Sequence, residues 1–588
     1  MRKNILIILF AFSFSVFSQY IPQHQDYTAI YDLVDELAND GIIELNSVVK
    51  PYSRAFIAES FVQAKASEKL TSRQKKEIDF YLNEFALEQN KLPEKRFVKI
   101  VNSDRAALSL IEPAYRYNDD LLKVKVNPLL GGNVYSNKNG FMYKRWIGAE
   151  FQAMIGKNFS MYASLRDMVQ PENLLVRRQY YNQQITNPYT LTTDTLVTKA
   201  GYIRNEYGGA YKLYGASGGD YSEMRGGMYY NWKWGHLGLV KDHITFGDAY
   251  NGSNIISNIT PSFPHIKLNI KPAKWVELNY IHAWLVSMAL DSTNYYLENT
   301  GEKKYWYKRK YLAANMLTIK PIKSLHISVG NSIIYCEDNV QPAYLIPLMF
   351  YKSIDHTLTR DQSENQNSQF FINFSSRNIK HLHLYGSAYV DELSFYRYAA
   401  NNPERNPISY KVGGRLSNFP LKNLQLTAEY TLNDIITYKH SIPSLDYTSN
   451  GYPLGSYLGD NATELYLALA YKPISRLNVG LSYTHARKGN DYQYIREDKA
   501  IKDIISQPFM KDVVWQNQTL TFKASYELFN NATILVQVDW SDINAKAIAG
   551  ALTTGEVWQT ADQYLNMYTS KYLQGENTTI MVGMNYGF

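Results

Sequence analysis

The sequence predicts an all-β transmembrane barrel of about 18 antiparallel strands, with a small periplasmic α-helical bundle ahead of it. Three observations lead there. Segments that alternate apolar and polar residues recur along the chain, eight short turns join them in pairs, and the last segment, "TTIMVGMNYGF", ends on an aromatic. Alternation at period two gives a strand one apolar face. In the C-terminal segment Ile580, Val582, Met584 and Tyr586 make that face.

In chain order, residues 1–18 read as a secretory signal peptide. Arg2 and Lys3 precede a mostly apolar run from Ile5 to Phe17, and Ser18, with Val16 two before it, supplies a small cleavage residue. The run is too short to span a bilayer, and no other stretch approaches the roughly eighteen apolar residues a spanning helix needs. No cysteine follows the cleavage site, which argues against a lipid anchor. Export therefore leads to a soluble protein or to a barrel.

Residues 19–95 have the texture of a periplasmic helical segment. "DYTAIYDLVDELANDGII" sets Ile30, Leu33, Val34 and Leu37 at helical spacing and stops at Gly41. "SRAFIAESFVQAKA" starts at Ser53 and repeats the pattern with Phe56, Ile57, Phe61 and Val62. "TSRQKKEIDFYLNEFALEQ" opens with Thr71 and Gln74 at capping-box spacing and carries Ile78, Tyr81, Leu82 and Phe85. Short amphipathic helices cannot bury their stripes alone, so these are expected to pack on each other or on a barrel mouth.

Residues 96–588 read as the outer-membrane β-barrel with long extracellular loops. Short turns fall in "MIGKNFS", "KWGHL", "LNIKPAKWVELNY", "LTIKPIKSLHISV", "SSRNIKHL", "LSNFPLKNLQLTAEYTL", "LAYKPISRLNVGLSYTH" and "YELFNNATILVQVDW". Eight turns imply sixteen strands, and one strand ahead (about 121 to 135) and one behind (577 to 588) bring the total to eighteen. Long polar segments lie between the pairs, at 169–220, 245–262, 288–308, 336–366, 392–407, 435–461, 487–515 and 542–576. Such barrels keep short turns on the periplasmic side and long loops outside. That parity returns Phe588 to the periplasmic rim, where the barrel-assembly machinery is expected to read the C-terminal strand.

The two faces separate cleanly. Leu382, Leu384, Gly386, Ala388 and Val390 are expected to face lipid, and His383, Tyr385, Ser387, Tyr389 and Asp391 the lumen. The same division holds for Leu424, Leu426, Ala428, Tyr430 and Leu432, and for Ala532, Ile534, Val536, Val538 and Trp540. Aromatic content is 14%, with 50 Tyr against 24 Phe, a ratio that suits rings at a lipid and water boundary. The mean hydropathy of −0.35 does not oppose a barrel, because alternation dilutes hydropathy. The lone Cys336 leaves no internal disulfide to form.

The net charge of +7 falls to +5 once Arg2 and Lys3 are removed. Lysines sit in or beside seven of the eight turns, at Lys157, Lys233, Lys271, Lys320, Lys380, Lys422 and Lys472, where they are expected to meet outer-membrane lipid headgroups. The excess is thus weak evidence for an anionic ligand, and nucleic acid is not suggested as a partner.

Signals for chemistry are few. "GASGG" matches G-x-S-x-G around Ser217 but lies in a Gly- and Tyr-rich stretch, where the strand–turn–helix context of a hydrolase elbow is lacking. His381 and His383 alternate on one strand, with no third metal ligand at matching spacing. No H-E-x-x-H, C-x-x-C, Walker or Rossmann pattern occurs. An enzyme, a cofactor and a metal are not expected.

Binding is the better prospect. The segment "CEDNVQPAYLIPLMFYKSIDHTL" holds an apolar core, Tyr344 to Tyr351, inside an otherwise polar loop. Two uses fit it: packing folded inward to fill a wide lumen, or aromatics offered to sugar rings. The run "YVDELSFYRY" reaches the same face and would add Asp391, Glu392, Tyr396 and Arg397 to Tyr344 and Tyr351 as ligand-binding residues.

The stretches "DELANDGIIELNSVVKPYSR", "QPAYLIPLMFY" and "LHLYGSAYVDELSFYR" resemble those of the capsule-assembly Wzi family of outer-membrane proteins. The resemblance extends over nearly the whole mature chain and implies a large barrel with a helical bundle at one mouth, placed in the outer membrane of a Gram-negative bacterium. It further implies a surface lectin that binds, or helps assemble and retain, capsular or exopolysaccharide. The alternative is a channel or transporter for a hydrophilic or lipidic solute. No ligand-contacting position is carried over from the family.

Overall fold

The computed structural model describes residues 19–92, 97–111, 114–178, 184–186, 193–195, 202–204, 211–213, 218–359, 366–398, 402–492, 504–548 and 560–587. The signal peptide, Ser217 and Phe588 lie outside the described residues.

The three N-terminal helices are α1 (Thr28–Asn39), α2 (Arg54–Lys65) and α3 (Ser72–Glu84). In α1 the stripe Ile30, Leu33, Val34 and Leu37 is wholly buried, and Gly41, at φ 70°, follows the C-cap where a left-handed residue ends the helix. Thr71 and Gln74 form the capping box that starts α3. The second stripe is shifted from its expected position: Val62 is exposed, and α2 packs through Ile57, Ala58, Phe61 and Ala64. Those four residues share one face of α2, and Val62 lies beyond its edge, where it meets solvent.

Eighteen strands form the closed wall: β1 (Leu122–Asn137), β2 (Gly140–Ile155), β3 (Phe159–Gln170), β4 (Gly219–Trp232), β5 (Gly235–Asp242), β6 (Phe263–Ala273), β7 (Val276–Leu285), β8 (Lys310–Ile322), β9 (Leu325–Tyr335), β10 (Asn367–Ser376), β11 (Leu382–Val390), β12 (Ile408–Ser417), β13 (Leu424–Asn433), β14 (Ala462–Tyr471), β15 (Leu477–Lys488), β16 (Trp515–Phe529), β17 (Ala532–Ala545) and β18 (Gly575–Tyr586). Each pairs antiparallel with the next, and β18 closes on β1 with Ile580 opposite Ser136 and Tyr586 opposite Leu130. All eight expected turns fall at one end. The remaining tight connection, at Lys138 and Asn139, joins β1 to β2 at the other end. Because β18 stops level with Leu130, the lower edge of β1 is left open, and a strand at Ala114–Asn118 covers it. That strand belongs to a meander with Phe97–Asn102 and Ala106–Ile111, which the sequence patterning did not single out. Covering the edge removes unpaired backbone groups at the seam.

Alternation sorts as expected. Ile580, Val582 and Met584 are exposed outside, as are Phe370, Ile372 and Phe374, and His383, Tyr385 and Tyr389 are buried in the lumen. An apolar exterior of this kind is stable only against hydrocarbon.

Residues 19–92 stop the short-turn mouth. Barrel turns grip the helices through polar side chains: Arg377, between β10 and β11, donates to Asp35 at 2.9 Å and to Asn39 at 2.9 Å. Asn418, between β12 and β13, donates to Glu36 at 2.9 Å, and Asn530, between β16 and β17, donates to the carbonyl of Phe80 at 3.0 Å. Two of the turn lysines are recruited inward rather than left for headgroups: Lys320 pairs with Glu44 at 2.9 Å, and the buried Lys472 lies 3.7 Å from Glu36. Lys157, Lys233, Lys271, Lys380 and Lys422 remain exposed.

The loop from 336 does not fold inward. Inward packing is done instead by segments 243–262 and 434–461, whose Phe246, Ile255, Tyr438, Tyr447 and Leu454 form a luminal core with Val48 and the inner faces of β7, β8 and β10. Cys336 packs on the luminal core, and residues 340–359 lie against the outside of the wall. There Tyr344 and Tyr351 join Tyr280, Tyr311, Ile333 and Tyr335. The latter four alternate with Ile281, Leu312 and Ile334 of the luminal core and so face outward.

Candidate functional site

The long-loop end carries a two-stranded hairpin, Leu290–Leu297 paired with Lys303–Tyr307. Its local sequence, "YYLENTGEKKYWY", places aromatics with high strand propensity on both arms around an Asn-Thr-Gly turn. Gly301 takes φ 81° there, a conformation glycine adopts without strain. Tyr295 lies opposite Tyr305, with ring centroids 5.8 Å apart, and Tyr296 lies 5.7 Å from Trp306. These are the two faces of one ribbon. Tyr296 is 50% and Trp306 56% exposed, and Lys303 sits 4.5 Å over the Tyr295 ring. Asp291 accepts hydrogen bonds from the hydroxyl and N–H of Thr293, which hold its carboxyl below the usual carboxylate range.

The loop after β11 adds a second exposed group. Phe395, Tyr396 and Tyr398 on a single 3-10 turn are 82%, 76% and 63% exposed. Arg397 fixes this turn by donating to Glu392 at 2.7 Å and to Glu404 at 3.4 Å.

The residues singled out in the sequence are therefore divided. Tyr396 is open, and Glu392 and Arg397 neutralise one another beside it. Asp391 turns inward to accept the N–H of Tyr438 at 3.1 Å, and burial pushes its carboxyl well above the ordinary value. Tyr344 and Tyr351 are enclosed beneath the exterior loop, so neither ring face is offered to a ligand. His381 pairs with Asp40 at 2.8 Å while His383 contacts Ser375 and Tyr250, so the two histidines do not share a site. The hairpin rings lie within 288–308, one of the long polar, Tyr-rich segments of the sequence. Its turn, flanked by aromatic pairs, is the signal that marks it.

Inside the barrel, where the filling loops stop, a cavity of about 660 Å³ remains. His24, Arg225, Asp242, Tyr457, Trp515 and Tyr568 are among its walls. Its charges are largely matched internally: Arg225 lies 3.5 Å from Asp242, which also accepts the Tyr162 hydroxyl at 2.6 Å. Trp515 and Tyr568 stand 5.7 Å apart, and the Trp515 indole donates to Thr569 at 3.0 Å. Volume and mixed lining are those of a small-ligand site. Among the described residues no group of three His, Cys, Asp or Glu is placed to hold a metal ion.

The family model described as "Capsule assembly protein Wzi" matches residues 142–550. No curated protein matches the chain in sequence. Among solved structures, Wzi of Escherichia coli, described as an outer-membrane protein involved in group 1 capsule assembly and a carbohydrate-binding β-barrel, aligns with a TM-score of 0.54. That alignment is at 10% identity and covers 97% of this chain and 99% of the other. Acinetobacter baumannii OccAB2 aligns at 10% identity over 78% of this chain and 97% of its own, with a TM-score of 0.39. Pseudomonas aeruginosa OccK8 does so at 8% over 79% and 97%, also with 0.39.

Proposed function

The chain belongs to the capsule-assembly Wzi family, and from that premise we propose that it is a non-enzymatic outer-membrane barrel that binds surface polysaccharide with its long-loop end and retains it on the cell. The observation that carries this reading is the two-faced aromatic hairpin: Tyr295, Tyr296, Tyr305 and Trp306 stand clear of the wall on both sides of one ribbon. Ring faces stack on the apolar faces of sugar rings, and neighbouring hydroxyl and amide groups hydrogen-bond their rims. Tyr396 and Tyr398 extend the same kind of surface. Each contact is weak, but a polymer offers the same unit repeatedly, so rebinding from neighbouring units gives retention without a strong single site.

The long loops face outward from the cell in this reading, and residues 19–95 close the periplasmic mouth after removal of residues 1–18. An epitope tag at Thr300 should be labelled on intact cells, while one at Pro321 should be reached only after permeabilisation. Labelling of Pro321 on intact cells would reverse the orientation. The second reading, a channel for a hydrophilic or lipidic solute, draws on the luminal cavity. Against it stand the helices in one mouth and the luminal core beneath the other.

The deciding experiment compares a strain lacking the protein with its parent. Total polysaccharide should be equal, and the cell-bound fraction should fall while the fraction shed into the medium rises. An unchanged partition, together with a loss of solute uptake, would replace the retention reading with the channel.

A further inference from the structure

The exterior position of residues 340–359 has a physical cause in the wall beneath them. His282, Asn315 and Asn331 occupy outward positions on β7, β8 and β9, between residues of the outward apolar face. Left bare, their polar groups would face hydrocarbon at a cost of several kcal/mol each by order of magnitude. The loop satisfies the two asparagines. Asn315 and Asn331 each donate to the carbonyl of Met349 at 2.9 Å, and Asn331 accepts the N–H of Tyr351 at 2.9 Å. His282 pairs with the Tyr335 hydroxyl at 2.7 Å under the same cover, and Tyr280 donates to the carbonyl of Tyr344 at 2.8 Å.

The height of this cover is set by register. Asn331 lies directly opposite Phe370 on β10, and Phe370, Ile372 and Phe374 are bare outward residues of the wall. The loop therefore rests on the barrel at a level where the adjacent strand already presents phenylalanine to its surroundings. Its outer side is apolar along one stretch, where Leu345, Ile346, Leu348, Met349 and Phe350 are exposed, whereas the short helix α4 (Tyr351–Thr359) turns Lys352, Ser353, His356 and Thr357 outward beside Leu358.

We propose that residues 345–350 form a membrane-embedded flap, whose outer side contacts the acyl chains of outer-leaflet lipid in continuity with the wall's own apolar band. A strand has only two faces, and β8 and β9 use one for the luminal core. The flap gives the other face a polar layer and a fresh apolar surface beyond it. It is also tied to the base of the aromatic hairpin, because Arg309 donates to the carbonyl of Asp338. The hairpin is thereby held beside the membrane surface. The assignment requires only that the barrel sits in a membrane, and it stands whether or not the long loops bind polysaccharide.

The test uses the full mature chain carrying Cys336→Ser, with a fluorescent thiol probe at Leu348→Cys or Phe350→Cys, in vesicles of phosphatidylcholine brominated on its acyl chains. Both probes should be quenched as deeply as one at Ile372→Cys on the bare wall, and far more than one at Tyr396→Cys. Quenching no greater than at Tyr396, with full access to aqueous iodide, would overturn the proposal. So would shielding from both quenchers, which would mean that a second copy of the chain covers the flap. Should Cys336→Ser fail to fold, the unaltered chain can be irradiated with a lipid bearing a photoactivatable group in its acyl chain. Adducts should then map to 345–350 as readily as to 370–374, and their absence from the former would equally overturn the proposal.

Discussion

Glu84→Gln is expected to loosen the helical segment from the barrel mouth and to make a closed barrel conduct. Glu84 is buried at the end of α3, where Arg54 approaches to 3.2 Å, Arg116 to 3.6 Å and Lys125 of β1 closer still, while Asn531 donates to it at 2.9 Å. Removing one partner from such a cluster leaves buried cations without compensation and costs about 3–5 kcal/mol. Residues Pro22 to Tyr27 and Arg54 line the floor of the luminal cavity, so displacement of the helices joins that cavity to the mouth. Planar-bilayer recordings should show ion conductance in the variant and little in the parent, and protease added at the short-turn side should cut within residues 19–92 of the variant first. A closed, protease-resistant Glu84→Gln barrel would refute the argument. Arg377→Met should act similarly from the opposite side of the mouth, because Asp35 loses its 2.9 Å partner.

The same carboxylate makes the closure acid-sensitive. Burial alone would raise the Glu84 carboxyl, but Lys125, Arg54 and Arg116 outweigh burial and hold it down at about 2, against an ordinary 4.5. A value depressed in the folded state means that its contribution is complete above about pH 4.5 and is lost as pH falls toward 2. Conductance of the parent should therefore rise across that window. In Glu84→Gln this component is missing, so its contribution to closure is absent at neutral pH as well.

Replacing Tyr295, Tyr296, Tyr305 and Trp306 together by Ser should move polysaccharide from the cell to the medium while leaving the barrel folded. All four rings lie on the protruding hairpin and none belongs to the buried clusters of the wall. If each stacking contact contributes about 1 kcal/mol, losing four weakens the binding of one polymer segment by roughly a thousandfold, and avidity magnifies the loss on a long chain. Tyr396→Ala alone should produce a shift of about fivefold in segment affinity on the same scale. The control is Tyr344→Ala with Tyr351→Ala, which removes rings from beneath the flap. That pair should lower the temperature at which the barrel loses its heat-modifiable mobility, with little direct effect on polymer contact. Cell-bound polymer unchanged in the hairpin variant would exclude the hairpin as the binding surface.

The amino-acid sequence by itself determined the eighteen strands of the wall and the side their residues face, though not the meander at 97–118 or the hairpin at 290–307. These are local matters: a period of two assigns Leu384 outward and His383 inward whatever the loops do, and Lys-, Pro- and Asn-containing turns set the length of each connection. It likewise determined α1 and α3, whose stripes and capping box are local too. Only the tertiary structure decided what covers each face. Alternation marks Asn315 and Asn331 as outward but not that Met349 and Tyr351 lie over them, and it marks Lys472 as a turn residue but not that Glu36 draws it inward. Tyr344 and Tyr351 invited a binding role because they are aromatics in a long polar loop, a property that exposed and buried rings share in sequence. Whether a loop enters the lumen, stands clear or lies on the wall depends on polar partners far away along the chain. An amide left unpaired on the outward face costs several kcal/mol by order of magnitude, so the loop settles where its backbone groups meet those amides.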